Sequence, residues 1–382
     1  MSSINKYILR KVEDRKAEGN FRSLKLIQGK VDLTSNDYLG IARDKAFQAI
    51  VEEEIRNNPA LSGSTGSRLL SGNSAYAESL ERKLASFHKA ESALIFNSGF
   101  DANYGLLSCL PYKGDTIIYD ELAHASIHDG IKSSKADSIS FQHNDVADLR
   151  KKLAEAKGLK YVVTETVFSM DGDMPPLQEI ATLCREYDAG LIVDEAHATG
   201  VIGERGAGLV NDLGLENYCL ARIHTFSKAL GGHGAVILCS PDLRDFLINY
   251  CRPFIFSTAL PFHSLAVVNC AYDYFPTLDD RRAQLTHLIA ILRRAIGEES
   301  GIGLLPSDTP VQSVIIKGNE EARRVASLLQ DAGFDARPIL SPTVARGTER
   351  IRIGLHSFNT EQEIVCLAES ILMFAQGHLQ NA

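Results

Sequence analysis

Short apolar runs recur through the middle of the chain at Ala93 to Phe96, Thr116 to Tyr119, Tyr161 to Thr164, Leu191 to Val193 and Ala235 to Cys239. Between them lie stretches with apolar residues at helical spacing, such as Asp148 to Ala156 and Gln178 to Tyr187. Uninterrupted apolar strands separated by amphipathic helices are the pattern of a mainly parallel sheet covered on both faces, so the pattern predicts an α/β fold. From Phe262 the texture changes. A long helix-compatible stretch runs to Ile296, followed by a strand at Gln312 to Ile316, a helix near Glu320 to Ala332 and a strand at Arg350 to Leu355. This alternation predicts a smaller α+β domain. The opening residues read as a helix and a short strand, too small to hold a core alone. The expected division is an arm over 1–43, a large domain over 44–262 and a small C-terminal domain over 263–382.

Composition narrows the class. With 382 residues the chain can bury a large core, and no stretch approaches the ~20 apolar residues that cross a bilayer. The first 20 residues carry charges on both sides of a few apolar ones, unlike a secretory signal, so a cytoplasmic location is expected. A net charge of -8 argues against nucleic acid or an anionic membrane as partner. The 7 cysteines stand singly, without the close pairing of a zinc site, and no metal is expected.

Ligands of parallel α/β sheets gather at the carboxyl ends of the strands, which directs attention to the polar residues that follow each apolar run. After Leu191 to Val193 comes Asp194-Glu195-Ala196-His197; alone, this spacing fits a metal site or a helix cap as readily as a catalytic one. The segment Thr225-Phe226-Ser227-Lys228-Ala229-Leu230-Gly231-Gly232-His233-Gly234 places a lysine in a glycine-rich loop before the strand Ala235 to Cys239. Most lysines are solvated surface groups. Here small neighbours would admit a flat ring, and the hydroxyls of Thr225 and Ser227 could meet a phosphate, as a lysine carrying a carbonyl cofactor requires. Ser98-Gly99-Phe100 sits between a strand and a helix-compatible stretch, so its N–H groups either face an anion or simply open a helix.

With these segments in place the chain resembles the α-oxoamine synthases, fold-type I transferases that use pyridoxal 5'-phosphate. The resemblance runs nearly end to end through SNDYLG (35–40), GSTGSRLLSG (63–72), FNSGFDAN (96–103), DELAHASIHDG (120–130), HND (143–145), TETVFSMDGD (164–173), DEAHATG (194–200), TFSKALGGHGA (225–235) and ERIRIGLH (349–356). It implies a large domain built on a mainly parallel sheet flanked by helices, with a smaller α+β domain after it. It further implies that Lys228 carries the cofactor and moves the substrate α-proton, Asp194 pairs with the pyridinium nitrogen, and His124 stacks on the ring. His197 and Ser169 would bond the ring oxygen. Ser98, Gly99, Phe100 and Thr225 would hold the phosphate, joined by Ser257 and Thr258 of a second subunit in a homodimer. Arg352, assisted by Asn36, would bind the substrate carboxylate, and Arg22 would meet the acyl group. Alternation alone does not separate Arg352 from Arg350, which lies on the same side of the strand.

The activity implied is decarboxylative condensation of an amino acid with an acyl thioester carried on coenzyme A or acyl carrier protein. The branch resembled most is that of biotin biosynthesis, joining L-alanine to a pimeloyl thioester; the alternative is a glycine-using synthase with acetyl-CoA. An aminotransferase or lyase on the same fold, and a cofactor-binding protein without activity, are weaker readings. Thr65 and Ser227 stand where the family often has glycine, and Thr65 bears on the acyl tunnel.

Overall fold

A computed structural model describes residues 2–24, 26, 29–58, 60–297 and 301–379, with side chains to residue 375. The chain divides into two compact units, one of residues 36–169 and 173–283, the other of residues 1–35, 170–172 and 284–382. Among the described residues no helix is long and apolar enough to cross a membrane.

The second of these units opens with the helix Ser3–Ala17 and a short strand, β1 (Val31–Asp32), whose partner comes from the far end of the chain. The larger unit holds β2 (Ser92–Phe96), β3 (Thr116–Asp120), β4 (Asp137–Phe141), β5 (Lys160–Glu165), β6 (Ala189–Asp194), β7 (Cys219–Thr225) and β8 (Ala235–Cys239). They form a seven-stranded sheet in the order β2-β8-β7-β6-β5-β3-β4. β8 runs antiparallel to both neighbours, and the other pairs are parallel. Alternate residues of each strand go to opposite faces. Ile117, Val163, Ile192, Ile223 and Ile237 pack with Leu106 and Ile127 of the helices Gly99–Cys109 and Ala125–Ser133. Ile118, Val162, Leu191 and Val193 pack with Leu149 and Ile180 of the helices Val146–Glu155 and Leu177–Glu186. Burial on both faces is why these strands read as continuous apolar runs.

Two strands escape that pattern. β4 lies at the sheet edge, and its Asp-Ser-Ile-Ser sequence is mostly exposed. β7 is central, yet it buries Arg222 and His224 in the core. Arg222 donates to Asn211 Oδ1 at 2.8 Å and to the His88 carbonyl at 2.8 Å. His224 Nδ1 meets Thr199 Oγ1 at 2.8 Å, and its ring lies 4.0 Å from that of His88. His88 in turn reaches Tyr272 Oη at 2.9 Å and the Ala207 carbonyl at 3.0 Å. Buried polar groups are usually hydrogen-bonded, and this chain of partners supplies that for all but His224 Nε2, in a strand whose sequence looks like a loop. The predicted long helix also breaks. Phe262–Tyr274 ends in a 3₁₀ turn, Phe275–Thr277, before Asp279–Ile296 begins, because Pro276 cannot supply the N–H that continuation needs.

In the other unit β9 (Gly303–Leu304), β10 (Val311–Ile315), β12 (Arg337–Ile339) and β13 (Arg350–Gly354) form an antiparallel sheet ordered β12-β13-β10-β9, while β11 (Phe334–Asp335) lies parallel to β1. The helix Asn319–Asp331 buries Ala322, Val325, Ala326 and Leu329 at the spacing of one face.

Burial, and after it the charge of Arg222, pushes His88 down to about 3; His224 falls well below the usual histidine range through burial, His88 and Arg222. Both folded-state values lie below that of an unfolded histidine. Their contribution to stability is therefore complete above about pH 6.5 and is lost as pH falls below it, for His88 at ~1.4 kcal/mol per pH unit down to about pH 3. The urea midpoint should drop between pH 7.5 and pH 5, and His88→Asn should shrink that drop. Equal drops in parent and variant would place the acid sensitivity elsewhere.

Candidate functional site

β2 and β7 both run antiparallel to β8, so they are parallel to one another, and Phe96 and Thr225 flank Ala235 on opposite sides. Glu165, Asp194 and Ile223 are likewise neighbours in register. The carboxyl ends of β2, β3, β5, β6 and β7 therefore share one edge of the sheet. That edge carries Ser98, His124, Ser169, Asp194, His197, Thr225 and Lys228.

Asp194 is buried at its centre. Its Oδ1 accepts the Ala196 N–H at 2.8 Å and its Oδ2 accepts Asn103 Nδ2 at 2.6 Å. Asn103 also reaches Ser126 Oγ at 3.1 Å, which lies 2.8 Å from His124 Nδ1. One amide thus links the carboxylate to the histidine. His124 caps the helix Ala125–Ser133, accepting from the Ser126 N–H, and its own N–H is held by the Glu165 carboxylate. Loss of hydration pushes the His124 pKa below its ordinary value; Asp194 opposes that shift and Lys228 adds to it. Glu165 is fully buried, and burial, with Asp194 adding and Lys228 opposing, raises its pKa well above the carboxylate range. These mutual influences place His124, Glu165, Asp194 and Lys228 within one electrostatic neighbourhood.

Lys228 is half-buried in the turn after β7, its carbonyl accepting the Gly231 N–H at 2.9 Å. The turn closes where Phe226 N donates to the Gly234 carbonyl at 2.9 Å. Gly234 has φ +107°, and a Cβ there would lie 2.7 Å from Leu260 Cδ1 and 3.0 Å from the Phe96 carbonyl, so only glycine fits. On the β2 side, a Cβ at Gly99 would stand 3.5 Å from Thr225 Oγ1, which itself lies 3.1 Å from Ser227 Oγ. The first-turn N–H groups of the helix Gly99–Cys109 and the two hydroxyls thus converge on one corner. Ser98 serves as the cap, accepting Asp101 N at 3.0 Å and donating to Asp101 Oδ2 at 3.0 Å.

His197 Nδ1 lies 2.7 Å from Tyr38 Oη, which donates to Asn36 Oδ1 at 3.0 Å, so Asn36 reaches this edge through a tyrosine. Glu195 points elsewhere: its oxygens accept Leu209 N at 2.8 Å and Val210 N at 2.9 Å, and burial raises its pKa to about 7. Ser169 is half-buried beside Phe168, whose N–H bonds the Asp173 carbonyl at 3.1 Å. His143 grips this turn between Asp120 at 2.9 Å and Asp173 at 2.8 Å, with its ring edge-on to Phe168. Thr258 is exposed, and its carbonyl is held by Asn97 Nδ2 at 2.8 Å; Ser257 beside it is half-buried.

Arg22 and Arg352 belong to the other unit. Arg22 is exposed and donates to Thr343 Oγ1 at 3.4 Å. Arg350 is buried, ion-paired with Asp171 and bonded to the Thr348 carbonyl at 2.9 Å, whereas Arg352 on the same strand is half-buried. Arg350 is thus committed to a carboxylate of its own chain.

Tyr38, Asn103, Ser126, Glu165 and His143 had no role in the sequence reading, although each lies inside a quoted motif. Each has a partner 23 to 159 positions away, which only the tertiary fold identifies.

The sequence profile of aminotransferase class I and II matches residues 28–371. The chain belongs to that family. The 8-amino-7-oxononanoate synthase of Emericella nidulans is 41% identical over 370 residues, covering 91% of this chain and 89% of that one. A putative 8-amino-7-oxononanoate synthase of Bacillus licheniformis is 41% identical over 376 residues, covering 98% of both. A serine palmitoyltransferase variant from S. paucimobilis, solved with a bound PLP–myriocin aldimine, superposes with a TM-score of 0.89 at 26% identity, covering 99% of both chains.

Burial works against the charge of His143, but its bonds to Asp120 and Asp173 prevail and raise the pKa to about 9. The folded value is raised, so this stabilisation is complete below about pH 6.5 and is lost as pH rises through 9. His143→Gln should cost ~1–3 kcal/mol at pH 7, because the fully buried Asp120 loses its countercharge. Between pH 7 and 10 the parent's urea midpoint should fall further than the variant's; parallel curves would contradict the clamp.

Proposed function

We propose that the chain condenses L-alanine with a pimeloyl thioester, releasing carbon dioxide and the free thiol carrier and giving 8-amino-7-oxononanoate. The observation that carries this reading is the 41% identity to synthases of that name over nearly the whole chain. It is supported by a strand edge that offers a lysine, a buried carboxylate and a helix N-terminus in the arrangement pyridoxal 5'-phosphate needs. The residues fit that cofactor: an amine for its aldehyde, a doubly hydrogen-bonded carboxylate for its ring nitrogen, and N–H groups with hydroxyls for its phosphate. When bound, it supplies an electron sink for the carbanion formed at the amino-acid α-carbon.

Each side chain then has a defined task. Lys228 carries the cofactor and takes the α-proton at Nζ. Asp194, fixed by Asn103 and the Ala196 N–H, keeps the ring nitrogen protonated. His124 stacks on the ring, its backbone held by Glu165 and its imidazole by Ser126. His197, braced by Tyr38, and Ser169 bond the ring oxygen. Gly99, Phe100 and Thr225 bind phosphate, with Ser98 holding the helix start in shape, and Ser257 and Thr258 serve the partner copy of a homodimer. Arg352 binds the substrate carboxylate through its planar fork, aided by Asn36, and Arg22 meets the acyl chain. A cytoplasmic location belongs to the same proposal.

Supplying alanine or glycine with pimeloyl-CoA or acetyl-CoA and measuring released thiol tests the assignment. Alanine with pimeloyl-CoA should be fastest; preference for glycine with acetyl-CoA would replace this reading with the glycine-using one. Lys228→Ala should lose the visible absorbance of the lysine-linked cofactor together with turnover, and native turnover in that variant would refute the site. Arg352→Ala should weaken alanine binding more than tenfold, since a desolvated anion without its partner costs ~2–5 kcal/mol. Cofactor absorbance should not change. Normal alanine binding in Arg352→Ala, with the loss falling on Arg350→Ala instead, would move the carboxylate site.

A further inference from the structure

An amide, a hydroxyl and an imidazole follow one another from Asp194, and the hydrogen bonds between them have a direction. A carboxylate oxygen accepts, so Asp194 Oδ2 takes an N–H of the Asn103 side chain at 2.6 Å. The same amide nitrogen reaches Ser126 Oγ at 3.1 Å, and an NH2 group has hydrogens only to give. Ser126 therefore accepts at its oxygen from Asn103. Its single hydrogen is left for the next partner, His124 Nδ1 at 2.8 Å. Asn103 and Ser126 are both buried, and hydrogen bonds chained together away from water strengthen one another.

A second donor aims at the same ring nitrogen. His124 caps the helix Ala125–Ser133 through Nδ1, which accepts the Ser126 N–H at 3.2 Å. Helix caps are normally oxygen side chains, and an imidazole can serve only where the facing nitrogen carries a lone pair. With an O–H and an N–H both directed at Nδ1, the one proton of a neutral ring belongs on Nε2. Among the described residues Nε2 meets no hydrogen-bond partner, and His124 keeps an exposed surface.

We propose that Ser126, turned by Asn103, is a positioning residue that fixes His124 as a neutral imidazole protonated at Nε2. A second proton, placed on Nδ1, would point at the Ser126 N–H, so the geometry resists charging the ring. The groups that face it act in both directions. The water it loses opposes the charge first, Asp194 at the end of β6 favours it, and Lys228 after β7 and His128 on the same helix oppose it, while Glu165 at the end of β5 holds the backbone N–H. The use of this state rests on the reading of His124 as the residue stacked on the cofactor. There a neutral imidazole avoids setting a second positive charge over a protonated ring nitrogen. It can give a hydrogen bond at Nε2 but cannot take a proton there, which leaves the α-proton to Lys228 Nζ.

The test labels the histidines with heavy nitrogen and reads both ring nitrogens of His124 by magnetic resonance in the cofactor-saturated protein, assigned through bonds to its backbone. At neutral pH Nε2 should show its attached hydrogen, and Nδ1 should resonate as a bare nitrogen. Ser126→Ala should raise the pH midpoint at which the ring charges by about half a unit to one unit, the contribution of one hydrogen bond to the uncharged form. Ser126→Thr, which restores the hydroxyl, should return the midpoint toward the parent's. A hydrogen on Nδ1 in the parent, or a Ser126→Ala midpoint equal to the parent's, overturns the proposal. The parent spectrum decides even if Ser126→Ala fails to fold. Release of thiol with glycine in place of alanine would change the reaction assigned and leave the nitrogen pattern standing, whereas the wrong pattern in an alanine-condensing protein would refute this inference alone.

Discussion

A carboxylate buried at the end of a parallel strand must be met by donors or lose its charge, and the constraint on Asp194 organises the whole sheet edge. Its two oxygens are met by the Ala196 N–H, which dictates the tight turn after β6, and by Asn103, which dictates where the helix Gly99–Cys109 lies. Through the same amide the helix is coupled to Ser126 and His124 on the next helix. In the proposed site, the helix that would present N–H groups to a phosphate is thus oriented by the carboxylate that would face the ring nitrogen.

The carboxylates around it are used unequally. Glu195 adjoins Asp194 in sequence, yet it serves the fold, gathering the backbone of Leu209 and Val210. Glu165 adjoins Asp194 in the sheet and holds the backbone of His124. Two negative charges so close in a dry site would repel, and burial together with Asp194 raises the pKa of Glu165 well above the carboxylate range. Strand register, rather than residue type, assigns the roles.

Behind the edge, the core is less apolar than a sheet interior usually is. His88, Thr199, Arg222, His224 and Tyr272 run through the middle of the larger unit, and Thr199 links them to the turn after Asp194 by donating to the Glu195 carbonyl at 2.7 Å. Such a network gains little net stability over an apolar core, but each member is costly to orphan, so it holds the turn in one arrangement. Rigidity at the site therefore comes from polar packing as well as from strands.

Apolar runs at Ala93 to Phe96 and its counterparts were sufficient to predict the parallel sheet, since burial on both faces leaves no alternation to be confused with a surface. Motifs at the strand ends likewise drew attention to Lys228, Asp194 and Thr225, because a lysine beside small residues and hydroxyls can meet a flat ring and a phosphate, while His124 entered only through the family resemblance. β7 was illegible, for Arg222 and His224 read as solvated until Asn211, Thr199 and His88 are brought to them. β4 was illegible because an edge strand need not be apolar. The break at Pro276, the bracing of His197 by Tyr38, and the commitment of Arg350 to Asp171 all depend on partners distant in sequence or on local geometry that periodicity does not encode. Local pattern determines which segments are strands and helices and which residues can do chemistry. Tertiary structure decides which of them meet, because a hydrogen bond is a statement about distance in space, and the chain order carries that distance only across a few residues.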